Sequence, residues 1–286
     1  MSEFERTVVA PALRNLETFV IGREALAFDA LPSTNTLLRE YAAQGAAEGL
    51  VALADEQTAG RGRRGRTWTA PPGTSLLLSV LTRPTWLPPT DGFLLTMLAA
   101  VALAEAIETT ARVPITLKWP NDLQIDERKL AGILVEVEAV GPDRIGWAII
   151  GCGINVNWQP DSTVGQTATS ISAATGQPID RAVLLQSILR AFDRHYLALR
   201  TGRREALRET WLGRLATLGQ TVRVDLANES FVGVAESVDP GGGLLVRCAD
   251  GDLRRVLAGD VSVRRAAPAP QELDSSAPGA DNGAEQ

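Results

Sequence analysis

The chain has 286 residues, of which 45% are hydrophobic and 22% are charged, and its net charge is −6. This composition is typical of a globular protein with one large or two modest domains, and the single histidine and two distant cysteines exclude a disulfide scaffold or a zinc ribbon. No apolar run approaches the roughly 18 residues of a membrane span, and no secretory signal begins the chain, so we expect a cytoplasmic protein with no membrane partner and with buried, neutral thiols at Cys152 and Cys248.

The first half of the chain predicts helices alternating with buried strands. Residues 1–30 have room for at most one short helix, around ALRNLETFV, and no independent DNA-binding module fits there. STNTLLREYAAQGA begins with a cluster of capping residues and predicts a helix. GLVALADEQTAG and TSLLLSVLTRP predict two buried strands, and GFLLTMLAAVALAEAIETTA predicts a helix buried against a sheet.

Three strand-like runs come next: ITLKWPNDLQID, which Pro120 interrupts, RKLAGILVEVEAV, and RIGWAIIGCGINVN, which we expect to end at Gly151 and Gly153. Helical periodicity returns over residues 181–217. After Gly219 the apolar residues alternate with period two, which predicts a small antiparallel barrel. The last 21 residues are acidic and rich in Pro, Ala, Ser and Gly, and predict a disordered tail.

The most unusual segment is TAGRGRRGRTW, residues 58–68, where glycines give a pliable backbone and arginines offer planar sets of donors. We call residues 58–68 the Arg/Gly loop. A solvated turn, a nucleic-acid patch and a cover for a small anion are the alternatives. Residues 57–90 contain five arginines and no acid, but the rest of the chain adds no comparable basic stripe, so the small anion is favoured.

Other polar residues stand at strand ends, and each has a structural alternative. Lys129 is either a surface lysine or an anion ligand. Asp122, in KWPND, either forms an Asx turn or orients a magnesium-bound phosphate. Asn155 is either a strand-end asparagine with no ligand or a residue whose side-chain amide contacts the edge of a nucleotide base. The sequence has no GxxxxGK[ST] motif, and its GRGRRG stretch (60–65) connects two predicted strands instead of following a first strand and opening a helix, so a bound nucleotide requires a different scaffold.

Five segments in this order and spacing resemble the biotin protein ligases: STN (33–35), DEQTAGRGRRGRTW (55–68), KWPND (118–122), KLAGIL (129–134) and GCGINV (151–156). The resemblance covers about residues 30–265. It implies an α/β (α+β) fold, a mixed sheet with helices related to class II aminoacyl-tRNA synthetases, followed by a small SH3-like β-barrel. We therefore expect an N-terminal extension (1–30), a biotin- and ATP-binding catalytic domain (31–217), an SH3-like domain (218–265) and a disordered acidic tail (266–286).

The resemblance implies that biotin and MgATP form biotinyl-5′-AMP, from which biotin passes to a lysine of the biotin carboxyl carrier protein of an acyl-CoA carboxylase. The catalytic residues would be Lys129, Arg63 and Asp122, with Asp122 also organising Mg²⁺. Biotin would contact Ser33, Thr34, Asn35, Gln57, Arg61, Gly62, Arg63 and Lys129. ATP and the adenylate would contact Arg63, Arg64, Arg66, Trp68, Lys118, Asn121, Asp122 and Asn155.

The chain resembles the short form of this family, without the N-terminal DNA-binding domain, so we expect no DNA partner. A lipoate protein ligase, which shares the scaffold and the adenylation chemistry, and a non-enzymatic RNA-binding protein are the alternative functions. The oligomeric state is undetermined and a weak homodimer is left open, as are the role of Cys152, the number of carrier substrates and the order of substrate binding.

Overall fold

A mixed seven-stranded sheet forms the centre of the protein. The computed structural model describes residues 2–226, 229–257 and 262–265. The strands β1 to β7 are Ala25–Leu31, Val51–Gln57, Ser75–Thr82, Thr116–Lys118, Asp122–Ile125, Arg128–Ala139 and Ile145–Asn155. They lie in the order β1-β2-β3-β7-β6-β5-β4, and β1 and β2 are parallel while the other neighbours are antiparallel. The two strands predicted around the Arg/Gly loop are therefore antiparallel neighbours, β2 and β3.

Helices cover this sheet. The α-helices α1 to α6 are Ala10–Leu13, Thr34–Ala43, Phe93–Ala111, Ile171–Thr175, Arg181–Arg200 and Arg204–Leu212. The predicted helix α2 begins after Ser33, whose side chain caps the helix at the backbone N–H of Thr36. Helix α3 packs against α5, α6 and the sheet, and its apolar side chains merge with those of the strands into one core.

Helix α3 corrects one expectation from the sequence. The segment Pro89–Ala111 is long and apolar enough to cross a membrane, although we expected no run of that kind. Most of the segment is buried inside the protein. Its apolar residues face neighbours on nearly every side, since Leu98, Val101 and Leu103 are all fully buried, which is the pattern of a core helix.

Two further predictions were wrong in detail, and one strand was not predicted. The N-terminal helical residues run from Glu5–Val9 into α1, which is earlier than predicted, because Phe4, Val8 and Val9 bury themselves in the core. Strand β1 was not predicted, and it pairs in parallel with β2 from Ala25 to Leu31, while the domain boundary at residue 31 stays a prediction. Gly151 and Gly153 do not end β7 but lie inside it, because both pair with β3 on one side and β6 on the other.

The C-terminal part forms a separate antiparallel sheet, as the period-two pattern after Gly219 predicted. Its strands β8 to β12 are Thr221–Asp225, Ser230–Val238, Leu244–Cys248, Leu253–Val256 and Ser262–Arg265, in the order β11-β10-β9-β8-β12. Closure of this sheet into an SH3-like barrel stays a prediction. The predicted disordered tail, residues 266–286, lies outside the described residues.

The two sheets meet next to the KWPND segment. The indole N–H of Trp119 donates to the Gly242 carbonyl oxygen at 3.0 Å, and the Trp119 backbone N–H donates to the hydroxyl of Thr217 at 2.9 Å. Trp119 is buried and is followed by a cis peptide bond to Pro120. The C-terminal sheet thus contacts the turn that carries Asn121 and Asp122.

Candidate active site

A pocket of about 400 Å³ opens between the start of α2, the Arg/Gly loop, the turn from β4 to β5, and the strands β6 and β7. It brings together most of the residues that the sequence nominated. These are Ser33, Thr34, Asn35, Gln57, Arg61, Gly62, Arg63, Arg64, Arg66, Trp68, Lys118, Asn121, Asp122 and Lys129. Segments that are up to about a hundred residues apart in sequence therefore form one site.

Asn155 is not among the residues that line this pocket. It is the last residue of β7, it is buried, and its side-chain amide donates to the Thr169 carbonyl oxygen at 3.0 Å. The sequence placed Asn155 correctly at a strand end, but it contained no information about the partner that the amide takes. Contact between Asn155 and adenine stays a prediction.

Polar side chains at the start of α2 and the end of β2 form one wall of the pocket, and Ser79 supports them from behind it. The Gln57 side-chain oxygen accepts from the backbone N–H of Thr34 at 2.8 Å and lies 3.1 Å from the Thr34 hydroxyl. The Ser79 hydroxyl lies 2.7 Å from the Thr34 hydroxyl and 2.6 Å from the Asn35 side-chain oxygen. Such preorganised donors and acceptors suit a small polar heterocycle such as a cyclic urea.

Sequence reasoning missed Ser79. Its signal was a single hydroxyl in the otherwise apolar run LLLSVL, because a polar side chain in a buried strand needs a partner. Gly151 also affects the position of Asn35, since a Cβ atom at Gly151 would lie 2.1 Å from the Asn35 side-chain oxygen. The glycine therefore leaves the space that Asn35 occupies.

The Arg/Gly loop folds back on itself as a short hairpin over the pocket. The backbone N–H of Gly62 donates to the Arg66 carbonyl oxygen at 2.7 Å, and that of Trp68 donates to the Gly60 carbonyl oxygen at 3.0 Å. A Cβ atom at Gly60 would lie 2.3 Å from the Trp68 carbonyl oxygen, so only glycine permits this close approach. The turn itself passes through Arg64, which has a left-handed φ of 57°.

The Trp68 ring lies in a slot formed by two glycines that pair across β6 and β7, Gly132 and Gly153. Added Cβ atoms at these positions would lie 3.2 Å and 2.5 Å from the ring. The Lys129 ammonium is 5.6 Å from the ring centroid, within range of a cation–π contact. The two glycines were part of the predicted motifs, but their function as a slot for Trp68 is visible only in the fold.

The charges around the pocket are strongly unbalanced. Its lining includes the four loop arginines together with Lys118 and Lys129, whereas Asp122 is the carboxylate among the described lining residues. Lys129 Nζ lies 2.8 Å from Asp122 Oδ1. This excess of positive charge in a partly desolvated pocket suits an anionic ligand.

Arg63 is held by a neutral side-chain amide. Its guanidinium donates to the Asn121 side-chain oxygen at 3.0 Å, and Asn121 is itself anchored by donating to the Ile133 carbonyl oxygen at 2.7 Å. Burial lowers the pKa of Arg63, while the Asp122 carboxylate opposes that shift and the neighbours Arg64 and Arg66 add to it. The guanidinium remains charged, but it is less well solvated than a surface arginine and gains more from a bound anion.

Cys152 lies between the two pocket glycines on β7 and also lines the pocket. Burial raises the pKa of its thiol, so Cys152 is neutral at physiological pH, as expected.

Cys248 is only half-buried, in contrast to the expectation. Neither cysteine forms a disulfide, and the described residues contain no group of three or more His, Cys, Asp or Glu side chains that could hold a metal ion.

Comparison with known proteins identifies the family. The model of the biotin/lipoate A/B protein ligase family matches residues 27–155, and that of the biotin protein ligase C-terminal domain matches residues 217–264. The bifunctional ligase/repressor BirA of Bacillus subtilis is 37% identical over 251 residues, covering 87% of this chain and 76% of the relative. The chain belongs to the biotin protein ligase family.

Two further relatives support this assignment. A biotin–[acetyl-CoA-carboxylase] ligase of Mycobacterium tuberculosis is 34% identical to this ligase over 236 residues, covering 80% of its chain and 85% of the relative. The structure of the biotin protein ligase from Aquifex aeolicus in complex with biotin and ATP superposes on this ligase with a TM-score of 0.73 and 27% identity. That match covers 85% of this chain and 100% of the other, so the mixed α/β fold with its small C-terminal sheet is the fold of this family.

Proposed function

We propose that the protein is a biotin–[acetyl-CoA-carboxylase] ligase. It joins biotin and ATP into biotinyl-5′-AMP, and it then transfers biotin to a lysine of the biotin carboxyl carrier protein of an acyl-CoA carboxylase in the cytoplasm. The observation that carries the proposal is the pocket itself, where a polar wall and a cluster of cations meet in a member of this family.

The polar wall suits the ureido ring of biotin. Thr34 and Gln57 hold each other, and Ser79 holds Asn35, so these hydroxyl and amide groups are already ordered, which reduces the entropic cost of arranging them around a ligand. Ser33 lies beside them at the start of α2 and lines the same pocket. This end of the pocket would fix biotin and leave its carboxylate directed toward the cations.

The cations suit the first chemical step. A biotin carboxylate oxygen attacks the α-phosphorus of ATP, a new P–O bond forms, and pyrophosphate leaves with the electrons of the broken P–O bond. The two reactants are both anions, so positive charge must lower their repulsion and stabilise the transition state. Lys129 would hold the carboxylate and α-phosphate oxygens, and Arg63 would cover the product adenylate; both residues line the pocket.

Mg²⁺ would accompany ATP. Magnesium at nucleotide sites is held by one or two carboxylates together with phosphate oxygens and water. Asp122 is the carboxylate that lines the described pocket, so the donor set fits a metal brought in by the triphosphate. When bound, the ion would neutralise phosphate charge, and the competing Lys129–Asp122 pair would give way to these new partners.

In the second step the carrier lysine attacks the carbonyl carbon of the mixed anhydride as a neutral amine. An amide bond forms, the attacking nitrogen gives up one proton to water, and AMP leaves with the electrons of the broken C–O bond. The Arg/Gly loop over the pocket would protect the anhydride from water and from other amines until the carrier docks. Trp68, seated on Gly132 and Gly153, closes the apolar side of that cover.

The test is a comparison of substrates with purified protein. Pyrophosphate release should require MgATP and biotin, and calorimetry should show biotin binding. A protein that releases pyrophosphate with lipoate and not with biotin would be a lipoate ligase instead, which is the second activity named in the matching family model. Tight RNA binding without any pyrophosphate release would favour the non-enzymatic alternative.

A further inference from the structure

Glu136 joins three parts of the molecule that surround the pocket. It lies on β6, further along the strand that begins at Arg128 and carries Lys129, and its side chain is 20% exposed. One carboxylate oxygen accepts from the Asn35 side-chain amide at 2.8 Å, and the other accepts from the Arg61 guanidinium at 2.9 Å. Arg39, on the second turn of α2, is 3.7 Å away.

These contacts make Glu136 the link between the polar wall and the loop. A continuous series of polar contacts runs through Gln57, Thr34, Ser79, Asn35, Glu136 and Arg61. Four of these residues were predicted to contact biotin. Ser79 and Glu136 were not, and neither lines the pocket. Glu136 therefore acts on the site through Asn35 and Arg61.

The charge of Glu136 determines what these two partners do. The Asn35 amide donates to Glu136 and to the Leu134 carbonyl oxygen at 3.3 Å, which fixes its side-chain oxygen toward Ser79. Arg61 is 44% exposed and belongs to a loop of like charges, so without an anionic partner its long side chain would lose its fixed direction. Glu136 supplies that anion to Arg61 from outside the pocket and, among the described residues, does not pair with the other loop arginines that line it.

We propose that Glu136 is a positioning residue for biotin: it holds the Arg/Gly loop at Arg61 against the polar wall at Asn35, so that both are in place before biotin binds. This inference rests on the proposed biotin ligase function. A glutamine at this position can still accept from Asn35 through its oxygen, but it cannot pair with the Arg61 guanidinium as a charge. Glu136→Gln therefore removes the loop contact selectively.

The experiment measures biotin binding by calorimetry and the kinetics of biotin-dependent pyrophosphate release for the whole protein. Glu136→Gln should raise the Kd and the KM for biotin about tenfold, because one charge-assisted contact no longer preorganises the site. The kcat at saturating biotin should stay within about twofold of the parent value, because the reacting groups are untouched. Glu138→Gln, an exposed position on the same face of β6, is the matched control and should change neither constant.

A double-mutant cycle separates the loop contact from a general loss of structure. In an Arg61→Met background, the effect of Glu136→Gln on biotin affinity should fall below about twofold, since the partner is already missing. An equal effect in both backgrounds would overturn the inference. So would a loss of affinity that parallels a lowered melting temperature. If the parent protein binds no biotin, the proposed function is overturned. If the parent binds biotin and Glu136→Gln binds it with the same affinity, only this inference is overturned.

Discussion

The Arg/Gly loop and the C-terminal sheet both carry several arginines, but the partners of those arginines differ. In the C-terminal sheet, Arg247 pairs with Glu236, Arg254 with Glu229 and Arg255 with Asp239. These carboxylates lie on strand β9 or directly beside its ends. In the loop, Arg61 pairs with Glu136, while Arg63 donates to the neutral amide of Asn121. Each of these sheet arginines thus has a carboxylate partner within the C-terminal part, whereas these two loop arginines take their partners from other segments, and the partner of Arg63 is neutral.

This difference bears on the pocket, which the loop arginines line. A guanidinium that already has a carboxylate gains little from a further anion, and in exposed positions the pair itself contributes little to stability. A guanidinium held by a neutral amide at a pocket keeps its charge available. Substitutions at the pocket should therefore alter catalysis, and substitutions in the sheet should leave it unchanged.

The largest effect is expected for Lys129→Ala. Its ammonium pairs with Asp122 at 2.8 Å, and in the proposed mechanism it neutralises the two reacting anions, so its loss should slow biotinyl-5′-AMP formation by about a hundredfold or more. Pyrophosphate release with biotin and MgATP is the measurement, and an unchanged melting temperature would show that the fold is intact. Arg128→Ala, one residue earlier and paired with the exposed Asp126, is the control. Equal turnover in Lys129→Ala and the parent would return Lys129 to the role of a surface lysine.

Arg63→Gly should have the next largest effect, on retention and not on formation of the adenylate. The lost guanidinium removes a charge-assisted contact, so adenylate affinity should fall by roughly 1.5 to 3 kcal/mol, about ten- to a hundredfold. Escaped adenylate should biotinylate an unrelated protein such as albumin, which a biotin blot detects. If the variant consumes ATP in a biotin-dependent way but labels albumin no more than the parent does, another loop residue retains the adenylate.

Gly153→Ala tests the slot that seats Trp68. The added methyl group would lie 2.5 Å from the indole, so the ring must move and the loop above it must shift. We expect about tenfold weaker biotin binding, measured by calorimetry. Gly165→Ala is the control, because its nearest contact would be an ordinary 3.7 Å from Pro160. Equal losses in both variants would mean that the slot has no special importance.

The smallest effect is expected for Arg247→Ala in the C-terminal sheet. Adenylation and transfer should be unchanged, and the melting temperature should fall by at most about 3 °C. The Arg247 hydrogen bond lowers the pKa of Glu236 from its ordinary 4.5. The stabilising contribution of this pair is therefore present above pH 4.5 and is lost as the pH falls through the lowered pKa. A measurable loss of ligase activity at neutral pH would contradict the division between the two clusters.

Much of the site could be predicted because its residues stand in short, local motifs. A few neighbouring residues are enough to predict the cap at Ser33, the pliable backbone of the Arg/Gly loop and the position of Lys129 near the start of a strand. The structure brings these three segments to one pocket. The order of those motifs also identified the family. Local signals are sufficient here because capping, turn formation and strand burial depend mainly on adjacent residues.

Other features depend on which strands become neighbours. Strand β1 is inconspicuous in sequence, Ser79 is one hydroxyl in an apolar run, and Glu136 resembles the exposed Glu138 that follows it on the same face. By itself, the sequence determined the chemistry that was present, namely the cations, the flexible loop and the polar cap. Only the tertiary structure decided which carboxylate holds Arg61, which glycines seat Trp68 and where the Asn155 amide points. Those choices are pairings between residues far apart in the chain, and sheet register, which no local window encodes, sets them.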